Sequence, residues 1–398
     1  MFVDGDDDMA KKIGIVSLYI GQNFGNKLQN YAVEKIIEEY GFEPRTLKYE
    51  VDKAKPVVQA SLGEKFRPDY IMTALKVRLS RLLPMKNSDS GFLKKLAWLP
   101  RQSVLKDAKA RQMSAYRRFD ENYLHFADHV IGLEEKDEHW TEDYAFFFCG
   151  SDQVWNPYYQ STNRNCFLQF APREKRVAFA PSFGVSAIPE ERMSDIAAWL
   201  SDIPYLSVRE EAGRDIIREL TGREAEMLVD PTMMLTREQW DEFAEKPAFA
   251  LPEKYVVTYF LGDRTRNYSS IVNENASRLG VPVVHLLDLM QPEYYVCNPN
   301  EFVYCIKNAE MVFTDSFHAS VFSILYQKQF QVFERVEGDR KMSSRLETLL
   351  TSFGLKERMF RGISRIPDKI TDKVWCETES HLVLEREKAK RFVDRAIM

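Results

Sequence analysis

Two rhythms of apolar residues alternate along the chain, and together they predict most of its secondary structure. Short uninterrupted apolar runs read as buried strands: "KKIGIVSLY" at 11–19, "YAFFFCG" at 144–150 and "RVAFAPS" at 176–182. After the first run comes a glycine-bearing turn, "IGQNFGNK". Leu28, Ala32 and Ile36, with Val33 and Ile37, then recur at helical spacing up to Gly41. This is the strand–loop–helix opening of an α/β domain. Between that helix and Tyr144 the pattern is poorer and more helical. Beyond Pro204 it becomes regular. "LSVRE" and "EMLVD" read as strands around the helix "EAGRDIIREL"; "KYVVTYF", "PVVHLL", "EMVFTD" and "QFQVFE" then alternate with helical stretches at 267–279, 299–308 and 317–326.

Strands separated by helices of this length imply parallel pairing with right-handed crossovers. Capping boxes start two helices, Thr236 with Gln239 and Ser344 with Glu347. The charged segment 371–396 predicts a helix long enough to reach back to the first domain. The expected architecture is two Rossmann-like doubly wound α/β domains facing each other across a cleft. Its expected divisions are a loose leader at 1–10, a first domain at 11–203, a second at 204–355, and a tail with the returning helix at 356–398.

Composition narrows the class. The chain has 398 residues and a net charge of −5, so nothing global points to nucleic acid. Its five cysteines (149, 166, 297, 305 and 376) are scattered and lack a close Cys-x-x-Cys pair, which points to reduced thiols in a cytosol rather than a disulfide framework or metal site. No apolar stretch approaches the roughly 20 residues of a membrane span, and the start "MFVDGDDDMAKK" lacks the layout of a signal peptide. A cytoplasmic protein is expected. Within an insertion at about 70–120, residues 72–118 carry twelve Lys/Arg against two Asp/Glu, with Ile71, Leu75, Leu79 and Leu82 on one apolar stripe and Lys76, Arg78 and Arg81 off it. The plain reading is an amphipathic helix with a solvated basic face. The sharper reading is a surface resting on an anionic membrane or a lipid-linked diphosphate, which would make the protein peripheral at the inner face.

In doubly wound sheets ligands bind beyond the carboxyl ends of strands. That rule selects "GQNFGNKLQN", "CGSDQVWNP", "VREEAG", "VDPT" and "TDSFHA". In "TDSFHASVFSILY", Phe317, Val321, Ile324 and Leu325 form the apolar face of a helix, and Asp315 or Ser316 is a natural N-cap. His318 then falls in the first turn, where the positive helix end favours the neutral imidazole and free N–H groups can hold an anion. A neutral acid/base beside an anion socket suits group transfer from a phosphorylated donor; a core histidine bonded to a carbonyl is the plainer alternative. In "CGSDQVWNP", Asp152, Gln153 and Asn156 beside Trp155 have the composition of a sugar-recognising loop, and equally of a turn whose tryptophan plugs the core.

"NFGNKLQNYAV", "CGSDQVWNP", "LSVREEAG", "LVDPTMML", "TDSFHASVFSILYQKQFQVF" and "KMSSRLETLL", in this order and spacing, resemble the polysaccharide pyruvyl transferase family from about Lys11 to about Leu355. The resemblance implies a GT-B-like pair of Rossmann-like domains, with the acceptor on the first and the donor on the second. It implies a bacterial enzyme that transfers pyruvate from phosphoenolpyruvate onto a sugar of a cell-surface polysaccharide precursor, forming a pyruvate ketal. Phosphoenolpyruvate is then a co-substrate, the acceptor is a saccharide or lipid-linked saccharide, and neither metal nor cofactor is required.

His318 occupies the family's histidine position and is the expected general acid/base. Arg209 matches its arginine, a donor contact unless it merely pairs with Glu210 or Glu211. Lys341 or Arg345 lies where another cationic donor contact is expected, and Asn26, Asp152, Gln153, Trp155, Asn156 and Asp315 are expected around the cleft. One departure stands out: many members have arginine two residues before the histidine, where this chain has Ser316, itself counted here with the donor site. Two alternatives stay open. One is a glycosyltransferase using a nucleotide sugar, although no Asp-x-Asp motif is present; the other is a binding protein that has lost catalysis.

Overall fold

Seven parallel strands form the larger sheet: β1 (Lys12–Val16), β2 (Glu43–Tyr49), β3 (Phe126–Ile131), β4 (Tyr144–Cys149), β5 (Arg176–Ala178), β6 (Tyr205–Val208) and β7 (Glu226–Met227), in the order β3-β2-β1-β4-β5-β6-β7. A second parallel sheet holds β8 (Val256–Tyr259), β9 (Val283–Leu286), β10 (Met311–Thr314) and β11 (Gln329–Val332), in the order β11-β10-β8-β9. The computed structural model describes residues 11–19, 21, 23–51, 102–135, 139–262, 265–337, 340–341, 344–362 and 368–398. Both sheets alternate strand with helix, the two-sheet α/β arrangement that the sequence predicts.

Strand pairing moves the expected division between the two parts. β6 and β7, assigned by position to the second domain, pair with β5 and with each other in the first sheet. The first sheet therefore continues to Met227, not to 203. β2 and β3 also lie in the stretch read as mainly helical. Of the basic segment, the apolar stripe from Ile71 to Leu82 falls outside the described residues. The part within them begins a helix, α2 (Gln102–Tyr123), which buries Ala108, Gln112, Ala115, Tyr116 and Phe119 and leaves Lys106, Lys109, Arg111, Arg117 and Arg118 exposed.

The helix α1 (Phe24–Glu39), which precedes α2, ties the two sheets together. Asn23 caps it, accepting from Gly25 N–H at 2.8 Å. On the first-sheet side Asn30 donates to Thr46 Oγ1 at 2.7 Å, and Thr46 donates to the buried Glu34 at 2.6 Å. On the other side Phe24, fully buried, stacks on Phe302 with ring centroids 4.6 Å apart, meets Tyr259 at 5.2 Å and stacks on Tyr116 at 5.6 Å. Burying such a ring contributes about 1.5–3 kcal/mol. One apolar core accordingly runs from Ile13 and Phe148 through Phe24 to Val257, Val312 and Phe322.

Four shorter elements follow whose first residues matter below: α3 (Glu211–Thr221), α4 (Pro231–Met234), α5 (Phe317–Leu325) and α6 (Ser344–Ser352). The Thr236–Gln239 capping box forms as predicted, whereas Ser344 is already the first residue of α6. The last helix, α7 (Asp372–Ile397), returns to the first part as expected: Tyr40 donates to Asp394, Arg395 pairs with Glu226, and Arg386 donates to Met233 and Leu235 carbonyls at 2.6 and 2.7 Å.

Candidate active site

His318 stands in the first turn of α5, directly after β10, as the sequence predicts. The residue is only 4% exposed; its ring meets Phe317 edge-on with centroids 5.3 Å apart and faces the Asp230 carboxylate. Nε2 lies 3.5 Å from Asp230 Oδ2. The same carboxylate oxygen accepts from Arg209 Nη1 at 2.5 Å and Ser151 Oγ at 2.7 Å. Arg209 reaches on to Asp152, Nη2 to Oδ1 at 3.2 Å, and rests its guanidinium over the Phe317 ring at 4.1 Å. Arg345, from the first turn of α6, meets the same Asp152 oxygen at 3.5 Å. The Gln153 amide lies between Asn156 and Arg345: in one orientation its oxygen accepts from Asn156 Nδ2 at 2.8 Å, and in the swapped one from Arg345 Nη2 at 2.8 Å and Nη1 at 3.1 Å. Residues 151–156, 209, 230, 318 and 345 thus come from both sheets to one buried cluster.

The electrostatics follow from that packing. Burial opposes the charge on Asp230, but His318 and Arg209 outweigh it and hold the carboxyl well below the usual carboxylate range. Asp152 is likewise lowered: burial works against ionisation, and Arg209, His318 and Arg345 overcome it. Arg345 is not so well compensated. Burial, and then its neighbour Arg209, pushes it down to about 10, so it stays protonated near neutrality with its Nε unbonded.

Four helices also begin here, each within two residues of a group in the cluster: α3 after Arg209, α4 behind its N-cap Asp230, α5 at His318 and α6 at Arg345; α1 begins beside them, with Gly25 against the His318 ring. Helix N-termini carry partial positive charge and free N–H groups. Two guanidinium groups and several helix starts thus surround two buried carboxylates.

Several expectations need correction. Arg209 does not pair with Glu210, which instead accepts from Ser182 Oγ at 2.8 Å and from Phe183 and Gly184 N–H at 3.0 and 3.2 Å. Trp155 is not a sugar platform. It is fully buried, stacked on Phe167 with centroids 5.0 Å apart, and donates to the Cys166 carbonyl at 2.9 Å. Ser316 is the N-cap of α5, its hydroxyl accepting from Ala319 N–H at 3.4 Å, and is committed to the helix rather than to a donor. Asp315 clamps the loop after β8, accepting from Leu261 and Gly262 N–H at 2.7 and 2.8 Å. Asn26 is half-buried in the first turn of α1, beside Gly25. Lys341 lies in a short antiparallel pair with its side chain outside the described residues.

Asp230 is the site residue that sequence reasoning missed. Its loop, "VDPT", stood among the candidate strand ends, but an aspartate before proline at a helix start reads as a cap. It is one: Oδ1 accepts from Thr232 N–H at 3.0 Å and Thr232 Oγ1 at 2.6 Å. Its other oxygen is what organises the site.

The fold and the cluster define a two-sheet α/β protein with a buried cluster of charged side chains drawn from both of its parts. The family model for polysaccharide pyruvyl transferase matches residues 23–335, and the chain belongs to that family. A search of curated proteins returned no match. Solved structures that align over nearly the whole chain include a UDP-GlcNAc 2-epimerase from Neisseria meningitidis bound to UDP-GlcNAc (10% identity, 96% of this chain and 93% of that one, TM-score 0.39). A UDP-N-acetylglucosamine 2-epimerase from Listeria monocytogenes aligns at 9% identity over 96% and 90%, TM-score 0.44. A Streptomyces sp. SF2575 glycosyltransferase complexed with thymidine diphosphate aligns at 10% identity over 97% and 99%, TM-score 0.42.

Among the described residues no helix is long and apolar enough to cross a membrane.

Proposed function

We propose that this protein transfers the pyruvyl group of phosphoenolpyruvate to two hydroxyls of a sugar in a cell-surface polysaccharide precursor, forming a ketal and releasing phosphate. The observation that carries this reading is the convergence of Arg209, Arg345 and His318 in one buried cluster. Phosphoenolpyruvate bears a phosphate and a carboxylate; two guanidinium groups complement them, and the helix mouths add N–H donors. In the reaction an acid gives a proton to the methylene carbon, leaving positive charge on the neighbouring carbon. A sugar hydroxyl oxygen bonds to that carbon and its proton leaves to a base. The carbon–oxygen bond to phosphate then breaks, and the second hydroxyl closes the ketal with loss of its proton. Phosphate carries away one of the two hydroxyl protons; the other balances the proton given to carbon.

His318 is the residue suited to those proton transfers, and Asp230, 3.5 Å from Nε2, is placed to orient its ring. Arg345 supplies the positive charge that other members place two residues before the histidine.

The decisive experiment is an assay of inorganic phosphate release from phosphoenolpyruvate with a panel of sugar acceptors. Release that requires an acceptor is expected. No release with any acceptor, together with stabilisation by nucleotide sugars, would replace this reading with glycosyl transfer. A second measurement addresses the missing arginine. Losing a charge-assisted hydrogen bond costs about 1.5–3 kcal/mol, roughly 10- to 150-fold in affinity. Arg345→Met should therefore weaken phosphoenolpyruvate binding by about that factor in calorimetric titration; unchanged affinity would remove Arg345 from the donor site.

A further inference from the structure

The two nitrogens of the His318 ring are in unlike places, and we propose that Nδ1, which faces Gly25 rather than Asp230, is the nitrogen that exchanges a proton with the ligand. This rests on the reading of His318 as the acid/base. Nε2 is fully buried, makes no hydrogen bond and is turned to Asp230 Oδ2 at 3.5 Å. That carboxylate favours a proton on Nε2, both in the neutral ring and in the imidazolium. A ligand has no room to reach that nitrogen.

Nδ1 lies on the other side of the ring, over Gly25. A β-carbon at residue 25 would sit 2.0 Å from Nδ1 and 2.7 Å from Cε1 and Cγ, closer than real β-carbons come to any atom. Gly25 is the second residue of α1 and does not have a left-handed backbone, and glycine weakens a helix relative to alanine. Neither conformation nor helix propensity accounts for it; the close approach of the His318 ring to the α1 backbone does. Phe24, wedged between Phe302 and Tyr259, holds α1 at that distance. Gly25 is thus a positioning residue: the first part of the molecule sets the ring that the second part carries. In the forward step the N–H bond at Nδ1 breaks as the carbon–hydrogen bond of the new methyl group forms. The ring passes from imidazolium to the neutral form protonated on Nε2, beside Asp230. A proton from an attacking hydroxyl then restores Nδ1–H.

Long-range proton–nitrogen correlation spectra of nitrogen-labelled protein test the assignment directly. The chain has six histidines, and the signals lost in His318→Ala identify the one that matters. The neutral ring is expected to carry its proton on Nε2; a proton on Nδ1 would overturn the proposal. Gly25→Ala should lower phosphate release by about 100-fold or more, the scale of a lost proton transfer, while phosphoenolpyruvate affinity in calorimetry is retained. An unchanged rate would overturn it.

A thermal-melting cycle guards against a variant that merely misfolds. Gly25→Ala should lower the Tm of the parent and leave that of His318→Ala unaffected, because the three atoms nearest the added carbon all belong to that ring. Equal losses in both backgrounds would refute the contact. If the parent releases no phosphate with any acceptor, the function reading fails, while the spectra and the melting cycle still judge the nitrogen assignment.

Discussion

Replacing His318 with alanine is expected to lower acceptor-dependent phosphate release by about 100- to 10,000-fold, the usual contribution of a well-placed acid or base. The fold should survive. The closest carboxylate to the imidazole is Asp230 at 3.5 Å, and it keeps Arg209, Ser151 and Thr232 when the ring is gone. Circular dichroism and melting should therefore resemble the parent's. Binding of phosphoenolpyruvate should persist too, because Arg209 and Arg345 supply the charge. The expected signature is retained affinity with lost turnover, the pattern of an interaction made in the transition state. A variant that turns over as fast as its parent would remove His318 from the chemistry, and one that neither binds nor folds would make it a structural residue.

The sequence signals for this site were uneven, for physical reasons. The junction of β10 and α5 was legible because a strand, a cap and an amphipathic helix each leave a local pattern, and that pattern fixes His318 at a helix mouth. Arg209 follows a strand that the same logic predicts, whereas Arg345, with Lys341 as its alternative, was implied only by the family resemblance. Asp230 was overlooked because capping fully accounts for one of its oxygens, while the partners of the other come from elsewhere in the chain. Ser151 lies 79 residues away and His318 comes from the other sheet. Trp155 went wrong in the opposite direction: an aromatic ring among polar residues has the same composition whether it faces a sugar or stacks on Phe167 in the core. β2 and β3 escaped because "EPRTLKY" and "FADHVI" mix charged with apolar positions, with β3 at the sheet edge. β6 and β7 were recognised as strands yet placed in the wrong sheet, since periodicity reveals that a strand exists and not what it pairs with.

Asp230 carries the other large expectation, and it concerns stability as well as rate. Asp230→Ala would leave Arg209 buried with Asp152 as its remaining close carboxylate, at 3.2 Å, and would uncap α4. Breaking a buried ion pair from one side costs about 3–5 kcal/mol, measurable as a lower midpoint in urea with little change in slope. Asp230→Asn retains a carbonyl for the cap but loses the charge, and its behaviour with pH separates the two effects. In the parent, the folded-state pKa of Asp230 lies below its unfolded value, so below about pH 4 the unfolded chain binds more protons. The stability that Asp230 contributes is thus present above that pH and is lost as the pH falls further. Asp152 titrates in the same direction and adds to the slope.

Stability curves of the parent should therefore drop steeply on the acid side, and those of Asp230→Asn less steeply from a lower plateau. Parallel curves would mean that Asp230 is not held ionised by Arg209 and His318. Activity makes the distinction independently: without the carboxylate beside Nε2 the ring loses the group that orients it. Asp230→Asn should consequently approach the rate of His318→Ala even where it remains folded.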